Sequence, residues 1–470
     1  MPAVAARYYT PDDRNARKVD ELADLERKER GDRLNTYWAY YEGNHHKPLV
    51  VEAGERDDNV ILNLCGQAID KSVAFFAPKP PVLHLEGETP QPGDESAEQK
   101  ALDAFWEAND LDEFVVDLGL AGFVSGHPFV KLLRPERTGE LPQAVVLDTR
   151  HVTVFWDVMN TRRALWYRLQ WETEKNVEAR RQDIVPQWLL TTVINEDGVE
   201  VVPDYDPEST WVVIEYQKTR ATGGKWKETG RDEWPFPFAP IVHRKNQPMP
   251  HSFYGQSDLR HYALNDAVNF VASNTSRIIK FHAQPKTFIT GANLGQINST
   301  SIDGVWELPE GATVNNLEMS SDLASSMRML ETLRSAFFTQ GRVVDWASQK
   351  DKVGQLTNFG LRVLFGDMLD LTRAKHKVYG GLLAEVSRDA LIMMGHANAS
   401  EPDAQWEDPL PKDRTEMVQS ATSEKLLGFT SQRTLATDLG RDYDVEKKQR
   451  IDEVDVDAML NEGAPVGVSG

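Results

Sequence analysis

Apolar residues recur at helical spacing in the middle of the chain. Residues 257–281 place them three and four positions apart, with Asn274 as the one polar interruption: Leu259, Ala263, Ala267, Phe270, Val271, Ile278 and Phe281. A second helical pattern opens at capping residues, ends at Gly341 and has four apolar positions. The capping residues are Ser320, Ser321 and Asp322, and the apolar ones are Leu323, Met327, Leu330 and Phe337. The two patterns predict a helical hairpin.

Short β-like runs separate these two helices, at residues 286–290, 304–308 and 313–317. A polar loop at residues 348–358 leads into a third helical pattern at 359–394. Gly380 and Gly381 in its middle predict a kink, because glycine destabilises a helix interior. One subunit would bury such a projecting hairpin poorly, whereas a ring of copies would bury it well.

The flanking sequence mixes helical and strand patterns. Helices are predicted at residues 12–42, at 59–76 with Asn59 as the cap, and at 101–106, 114–123, 415–426, 431–439 and 445–460. Strands are predicted at 82–85, 129–133, 144–154, 164–172, 191–202, 210–217, 241–243 and 406–410. The fold class is therefore α+β.

Charge and cysteine content exclude several classes of protein. The net charge of −21 argues against an ordinary nucleic-acid coat, which needs a surplus of Lys and Arg. It does not exclude a protein past which nucleic acid slides. The single cysteine, Cys65, excludes a disulfide scaffold and a Cys-rich metal site. Residues 1–14 do not resemble a signal peptide, and no stretch has the apolar length of a membrane helix.

No catalytic group stands out in the sequence. Gly223-Gly224-Lys225 lacks the other residues of a phosphate-binding loop and is expected to be a surface turn. The carboxylates of residues 442–457 lack the Gly and closing Glu of a calcium loop and are expected to be a solvated face. We therefore expect no catalytic residue, no metal and no cofactor, and the sequence favours a structural role.

Lys350 and Lys352 lie in the polar loop between the second and third helices. Their spacing alone favours a solubilising loop. The alternative is a flexible basic point that contacts a passing polyanion.

Four stretches, taken in order, resemble the portal proteins of tailed bacteriophages. They are residues 63–76 with Pro80-Pro81-Val82, residues 109–116 with Gly126-His127-Pro128-Phe129-Val130, residues 239–242 with 255–259, and residues 406–411 with 428–431. The similarity covers nearly the whole chain, and the shared order of these motifs identifies it. It implies a portal fold with a wing, a helical-hairpin stem, a small β clip, a tunnel loop with a long kinked helix, and an α-helical crown.

The resemblance assigns a region of the chain to each part. The wing would be residues 1–255 and 359–414, the stem helices 256–281 and 322–346, the clip 282–321, the tunnel loop 347–358 and the crown 415–470. The implied assembly is a dodecameric ring at one capsid vertex of the virion, built in the host cytoplasm. Its implied partners are double-stranded DNA in the channel, the terminase large subunit, a head–tail adaptor, and the major capsid and scaffold proteins, with no membrane.

Two groups of site residues follow from this assignment. The tunnel loop that meets DNA would present Ser348, Gln349, Lys350, Lys352 and Asn358. The clip would dock partners through a further group, with Trp306 as its aromatic anchor: Lys286, Phe288, Trp306 and Leu308. A mostly negative channel wall would let the duplex slide, because each neutralised phosphate adds affinity.

Two other classes of function remain open at this point. Another virion component, such as an adaptor or a scaffold, is one; adaptors are usually shorter and a scaffold would be more uniformly helical. A carboxylate-dependent hydrolase is the other. It would need converging acid and base partners, whereas the acidic cluster lies at the end of the chain.

Overall fold

The computed structural model describes residues 13–51, 53, 57–85, 96–137, 139–157, 159–174, 178–190, 193–194, 200–201, 205–219, 222, 224–283, 287–290, 298–299, 306–307, 311, 313–316, 323–345, 358–410, 414–428, 431–438, 443 and 446–450. Two compact units divide the chain. The first comprises residues 1–349 and 365–409, and the second comprises 350–364 and 410–470. The chain mixes helices with antiparallel sheets, as the sequence predicts.

Four helices form the N-terminal part of the first unit. They are α1 (Asp13–Tyr41), α2 (Leu64–Phe76), α3 (Ala97–Ala108) and α4 (Leu111–Ser125). The cap of α2 is Asn63, whose side chain accepts a hydrogen bond from Gly66 N, so the predicted cap at Asn59 is wrong. The hydrophobic faces of α2, α3 and α4 enter one buried cluster that includes Phe76, Phe105 and Phe123.

Two larger sheets complete this unit. The three-stranded sheet has the order β11-β2-β3, from Ile241–His243, Phe129–Leu133 and Gln143–Leu147. The five-stranded sheet has the order β10-β9-β6-β5-β4. Its strands are β4 (Val152–Trp156), β5 (Ala164–Glu174), β6 (Glu178–Pro186), β9 (Trp211–Lys218) and β10 (Lys227–Trp234). A short helix, α5 (Gln187–Leu190), and the two-stranded pair β7 (Val193–Ile194) and β8 (Glu200–Val201) lie between β6 and β9.

The sequence analysis missed β6 and β10, because both strands are rich in charged residues. In β6 two charged side chains are buried: Arg181 pairs with Asp183 at 2.9 Å, and Asp183 pairs with Arg168 of β5 at 2.8 Å. Asp20 of α1 joins the same group, 2.7 Å from Arg168. Charged positions that usually indicate solvent exposure therefore lie inside this sheet.

The predicted hairpin consists of α6 (Ala263–Ala283) and α7 (Leu323–Gly341), which pack against each other. The predicted start of the first helix at residue 257 is wrong, because residues 257–262 form turns. The Ser257 hydroxyl donates to the Val124 carbonyl at 2.6 Å, which fixes this turn at the end of α4. Between the helices, β12 (Thr287–Thr290) pairs with β15 (Thr313–Asn316), and β13 (Asn298–Ser299) pairs with β14 (Trp306–Glu307).

The third helical pattern is interrupted at a different place from the predicted kink. α8 (Asn358–Leu364) ends before Phe365, and α9 (Gly366–Met393) runs without interruption through Gly380 and Gly381. Gly380 is explained by close packing, since a Cβ there would lie 3.2 Å from Trp406 Nε1 and 3.3 Å from Ala404 Cβ. The helix is therefore continuous through the two glycines and is broken instead at Phe365, and the kink at the glycines stays a prediction.

After α9, a short strand completes the first unit. β16 (Asp403–Gln405) pairs antiparallel with β1 (Val82–His84). The predicted strand at residues 406–410 is therefore wrong, and Trp406 instead stacks its ring on His376 at 4.4 Å between centroids. The second unit contains α10 (Arg414–Leu426) and α11 (Gln432–Asp438), close to the helices predicted there.

Candidate functional site: the helical hairpin and its anchorage

The α6 helix is polar on its buried side and apolar on its outer side. Asn265, Asn269 and Ser273 are fully buried. Within α6 the predicted apolar stripe lies on another side, where Phe270 is 50% exposed, whereas Leu259, the stripe residue that precedes α6, is buried in the core. Ala263 and Asn274 on the same stripe are also exposed. Ordinary surface helices show the reverse arrangement, with the apolar side inward.

An extended segment of the chain occupies the polar side of α6. We call residues 57–64, which end at the first residue of α2, the strap. Asn265 Oδ1 accepts hydrogen bonds from Leu64 N at 2.9 Å and Cys65 N at 3.1 Å. Its Nδ2 donates to the Leu62 carbonyl at 2.8 Å. One amide side chain therefore accepts hydrogen bonds from two free N–H groups at the start of α2 and donates one to a carbonyl of the strap.

The next two turns of α6 repeat this arrangement. Asn269 Oδ1 accepts from Leu62 N at 2.9 Å. The Ser273 hydroxyl accepts from Val60 N at 2.9 Å and lies 3.2 Å from the Val60 carbonyl, to which it donates. Each of these contacts lies between a buried side chain and the backbone, so breaking one leaves a buried polar group without its partner, at a cost of about 1–3 kcal/mol.

A charged group ends the series. Arg277 Nη2 donates to Asp58 Oδ1 at 2.8 Å, and Lys280 Nζ lies 3.3 Å from Asp58 Oδ2. Arg277 Nη2 also donates to the Val50 carbonyl at 3.2 Å. The hydrogen bond from Arg277 is the main reason that the pKa of Asp58 is lowered.

The spacing of the two partners explains why four consecutive helical turns can bind one extended segment. Four residues of a helix rise about 6 Å, and two residues of an extended chain span about 6.6 Å. Side chains four positions apart therefore meet every second residue of the strap in turn. We call these four side chains the ladder: Asn265, Asn269, Ser273 and Arg277.

A buried charged group fixes the start of the hairpin against α9. Asp258 forms an ion pair with Lys375, whose side chain is 3% exposed. Asn246 Nδ2 donates to Asp258 Oδ1 at 2.9 Å, and the Tyr379 hydroxyl donates to Asn246 Oδ1 at 3.0 Å. Burial lowers the pKa of Lys375, and the Asp258 carboxylate opposes that shift. The Lys375 ammonium also lies 3.1 Å from the centroid of the Phe123 ring.

A histidine pair lies under the turn that precedes α6. Gly255 N donates to His127 Nδ1 at 3.2 Å, so His127 carries its proton on Nε2 and donates it to His243 Nδ1 at 3.1 Å. Burial lowers the pKa of His243 to about 3 and that of His127 well below its usual value. Both rings are therefore neutral at pH 7 and act as packing and hydrogen-bonding groups.

The outer face of α7 differs from that of α6. Its centre carries Arg328, Thr332 and Ser335, all exposed. Met327 and Met329, on its two flanks, are 48% and 50% exposed. The hairpin therefore presents two different surfaces: an apolar stripe on α6, and a polar face flanked by methionines on α7.

The structure places few of the site residues predicted from the sequence. Ser348, Gln349, Lys350 and Lys352 of the proposed tunnel loop lie outside the described residues, as do Lys286 and Leu308 of the clip. Three others are placed by their backbone: Asn358 begins α8, Phe288 pairs with Asn315 between β12 and β15, and Trp306 pairs with Ser299 between β13 and β14. The roles assigned to these residues remain predictions.

Sequence reasoning missed the ladder, although a signal was present. Asn265, Asn269 and Ser273 recur every four residues on the side of α6 opposite the apolar stripe. The sequence-based prediction followed the apolar stripe and drew nothing from this polar pattern, since polar sides of helices usually face solvent. Only the strap, distant in sequence, shows that this side is buried.

Within the parts of the chain that the structure describes, no group of His, Cys, Asp or Glu side chains could hold a metal ion. Over the same residues, no helix has the length and apolar character needed to cross a membrane.

A family model described as "Phage portal protein, SPP1 Gp6-like" matches residues 23–458. No curated protein matches the chain. The match to the family model covers both units of the fold, the strap and the whole hairpin.

Solved structures of a gene transfer agent (GTA) also resemble the chain. "Neck of native GTA particle computed with C12 symmetry" is 14% identical, covers 80% of this chain and 89% of that chain, and has a TM-score of 0.41. "Virion of native gene transfer agent (GTA) particle" is 14% identical, covers 87% and 93%, and has a TM-score of 0.42. "Neck of empty GTA particle computed with C6 symmetry" is 15% identical, covers 80% and 89%, and has a TM-score of 0.40.

Proposed function

Because this chain belongs to the SPP1 Gp6-like phage portal family, a family of structural virion proteins, we propose that it forms a closed dodecameric ring at one capsid vertex. Double-stranded DNA enters the capsid through the ring's channel and later leaves through it. The family match over residues 23–458 is the observation that carries this proposal.

The surface of the hairpin supports ring assembly. Phe270 and Ile279 of α6 and Met327 and Met329 of α7 are each about half exposed, at 48–50%. Covering apolar area contributes about 25 cal/mol per Å². A helical hairpin that leaves this much apolar surface in water gains stability when copies pack side by side. A heterologous contact between two different surfaces of one chain closes into a ring when its rotation permits.

The resemblance to portal proteins implies a division of labour in packaging. A separate ATPase, the terminase, would dock on the ring and supply the energy for DNA translocation, and the absence of a phosphate-binding loop motif from the given sequence agrees with this. The β clip between α6 and α7 is the proposed docking surface for the terminase and later for a head–tail adaptor, with Lys286, Phe288, Trp306 and Leu308 as its contact residues. The major capsid and scaffold proteins surround the ring.

The proposed tunnel loop, residues 347–358, supplies the contact with DNA. Lys350 and Lys352 provide positive charge in a chain with a net charge of −21, and Asp351 between them limits the attraction. Contacts with phosphate are salt-dependent and individually weak, so a few of them guide a duplex without stopping it. Ser348, Gln349 and Asn358 complete the polar surface of the loop.

Native mass spectrometry of the purified protein tests the ring. We expect a dominant species whose mass is a large multiple of the 53.0 kDa chain, with twelve copies as the expected number. A stable monomer at micromolar concentration would contradict the proposal. An open, polydisperse series of masses would contradict closure.

A further inference from the structure

The loop and strap beside α6 hold apolar side chains in water. Val50 is 89% exposed, and Ile61 and Leu62 are each 38% exposed. These residues belong to a firmly bound part of the chain. Leu49 N donates to Asn59 Oδ1 at 2.9 Å, and Asn59 Nδ2 donates back to the Leu49 carbonyl at 3.0 Å. Their exposure is therefore imposed by the fold rather than by a loose segment.

The geometry of the ladder carries these side chains toward the outer stripe of α6. Four residues of a helix turn about 400°, so each step of the ladder lies about 40° further around α6 than the one before. The strap therefore crosses the helix. At its far end, Arg277 holds Asp58 and the Val50 carbonyl close to the side of α6 that presents Phe270. The outer stripe and the exposed residues of the strap form adjacent parts of one surface.

The charges around the strap favour an apolar occupant. Asp57 pairs with Lys47 at 2.6 Å, and Asp58 pairs with Arg277 and Lys280. The acidic groups of the strap are thus already neutralised within the chain, and they offer little to a basic partner. Among the described residues of the loop and the strap, Val50, Ile61 and Leu62 present apolar side chains to solvent.

A second copy of the chain provides a matching surface. The flanks of α7 expose Met327 and Met329, whose flexible side chains fit irregular apolar surfaces. In a ring, every hairpin has a neighbouring hairpin at its side, so a surface on α6 and a different surface on α7 can cover each other. The same arrangement repeats around the ring and leaves no copy uncovered.

Resting on the proposed ring, we propose that the strap is part of the contact between adjacent copies. Val50 and Ile61, together with Phe270 on the outer stripe of α6, pack against the exposed methionine side chains of α7 in the next copy. The ladder does not touch the neighbouring copy itself. It holds the strap on α6 so that the apolar side chains of the strap face that copy.

Charged substitutions on the strap and on the loop that precedes it test this contact. The test variant is Val50→Glu, and Ile61→Glu is a second one. The matched control is Met159→Glu, because Met159 is 93% exposed in a turn between β4 and β5, away from the strap. Assembly is followed by native mass spectrometry across a dilution series. Circular dichroism and thermal melting of each variant confirm the fold.

We expect Val50→Glu to raise the protein concentration at which half of the chains are assembled about tenfold or more. This is the effect expected when each contact between copies loses one buried valine side chain. Met159→Glu should assemble like the wild type. If the wild type forms rings and Val50→Glu and Ile61→Glu form them equally well, the strap contact is refuted, the proposed ring stands, and another protein covers the strap. If the wild type forms no ring, the proposed function itself fails.

Discussion

Replacing Asn265 with alanine tests whether the ladder holds the strap on α6. Asn265 is fully buried and makes three hydrogen bonds with the strap and the start of α2, at 2.8, 2.9 and 3.1 Å. A typical hydrogen bond contributes about 1 kcal/mol net, and leaving buried backbone groups unpaired costs at least as much. We therefore expect Asn265→Ala to lower the free energy of local opening of the strap by about 3 kcal/mol.

Hydrogen exchange measured by mass spectrometry reads this opening directly. Since 1.4 kcal/mol is a tenfold change, amides of residues 60–65 should exchange roughly 100-fold faster in Asn265→Ala. Asn274→Ala is the matched control, because Asn274 lies on the same helix with its side chain in water. Alanine favours helix more than asparagine, so the control should keep the protection of the strap. Unchanged exchange of the strap in Asn265→Ala would refute the role given to the ladder.

Three further predictions concern packing, pH and DNA. Gly122→Ala should destabilise the protein by about 1–3 kcal/mol, because a Cβ there would overlap the Tyr379 hydroxyl. Gly381→Ala, which meets no atom within 4 Å, should instead raise the melting temperature. Because the pKa of His243 is lowered to about 3 from 6.5, its stabilising contribution is complete above pH 6.5 and falls as the pH drops toward 3. The melting temperature of the wild type should therefore fall more between pH 7 and pH 5 than that of His243→Phe. Equal decreases in the two proteins would contradict this. Lys350→Glu with Lys352→Glu should leave rings intact and impair DNA packaging or retention, and normal packaging by the double variant would contradict the proposed tunnel loop.

The hairpin shows how far periodicity can predict a fold. The pattern of α7 gave its existence and its end at Gly341, because Leu330 and Phe337 pack into the core of the same unit, although Met327 of the same pattern is 48% exposed. The pattern of α6 gave a helix and an apolar stripe that one subunit buries poorly, but not that the polar side is buried under the strap. Periodicity reports two unlike sides of a helix, and only the partners decide which side is buried.

Charged strands show the opposite limit. β6 was not predicted because Arg181 and Asp183 suggest a surface, yet both are buried, and Asp183 pairs with Arg181 and with Arg168 of β5. A buried ion pair needs both members in place, and nothing in the local sequence announces a partner 15 positions away. The start of α2 was predicted wrongly for a similar reason. Asn59 forms hydrogen bonds with Leu49 instead of capping a helix, and the ladder binds the residues that follow it as an extended segment.

The sequence likewise predicted only part of the candidate site. The resemblance in sequence led to the portal family, which the family match over residues 23–458 confirms. The residues assigned to the tunnel loop and the clip rest on position within that family and stay predictions. The ladder could not be derived from family position or from spacing, because it depends on a contact between residues about 200 positions apart.

Electron cryo-microscopy of the purified protein, reconstructed without imposed symmetry, tests the central claim most directly. We predict a closed ring with a central channel, in which the outer stripe of α6 and the strap are covered by the neighbouring copy. A particle without a central channel, or a ring in which Phe270 and Val50 remain in solvent between separated hairpins, would contradict the account.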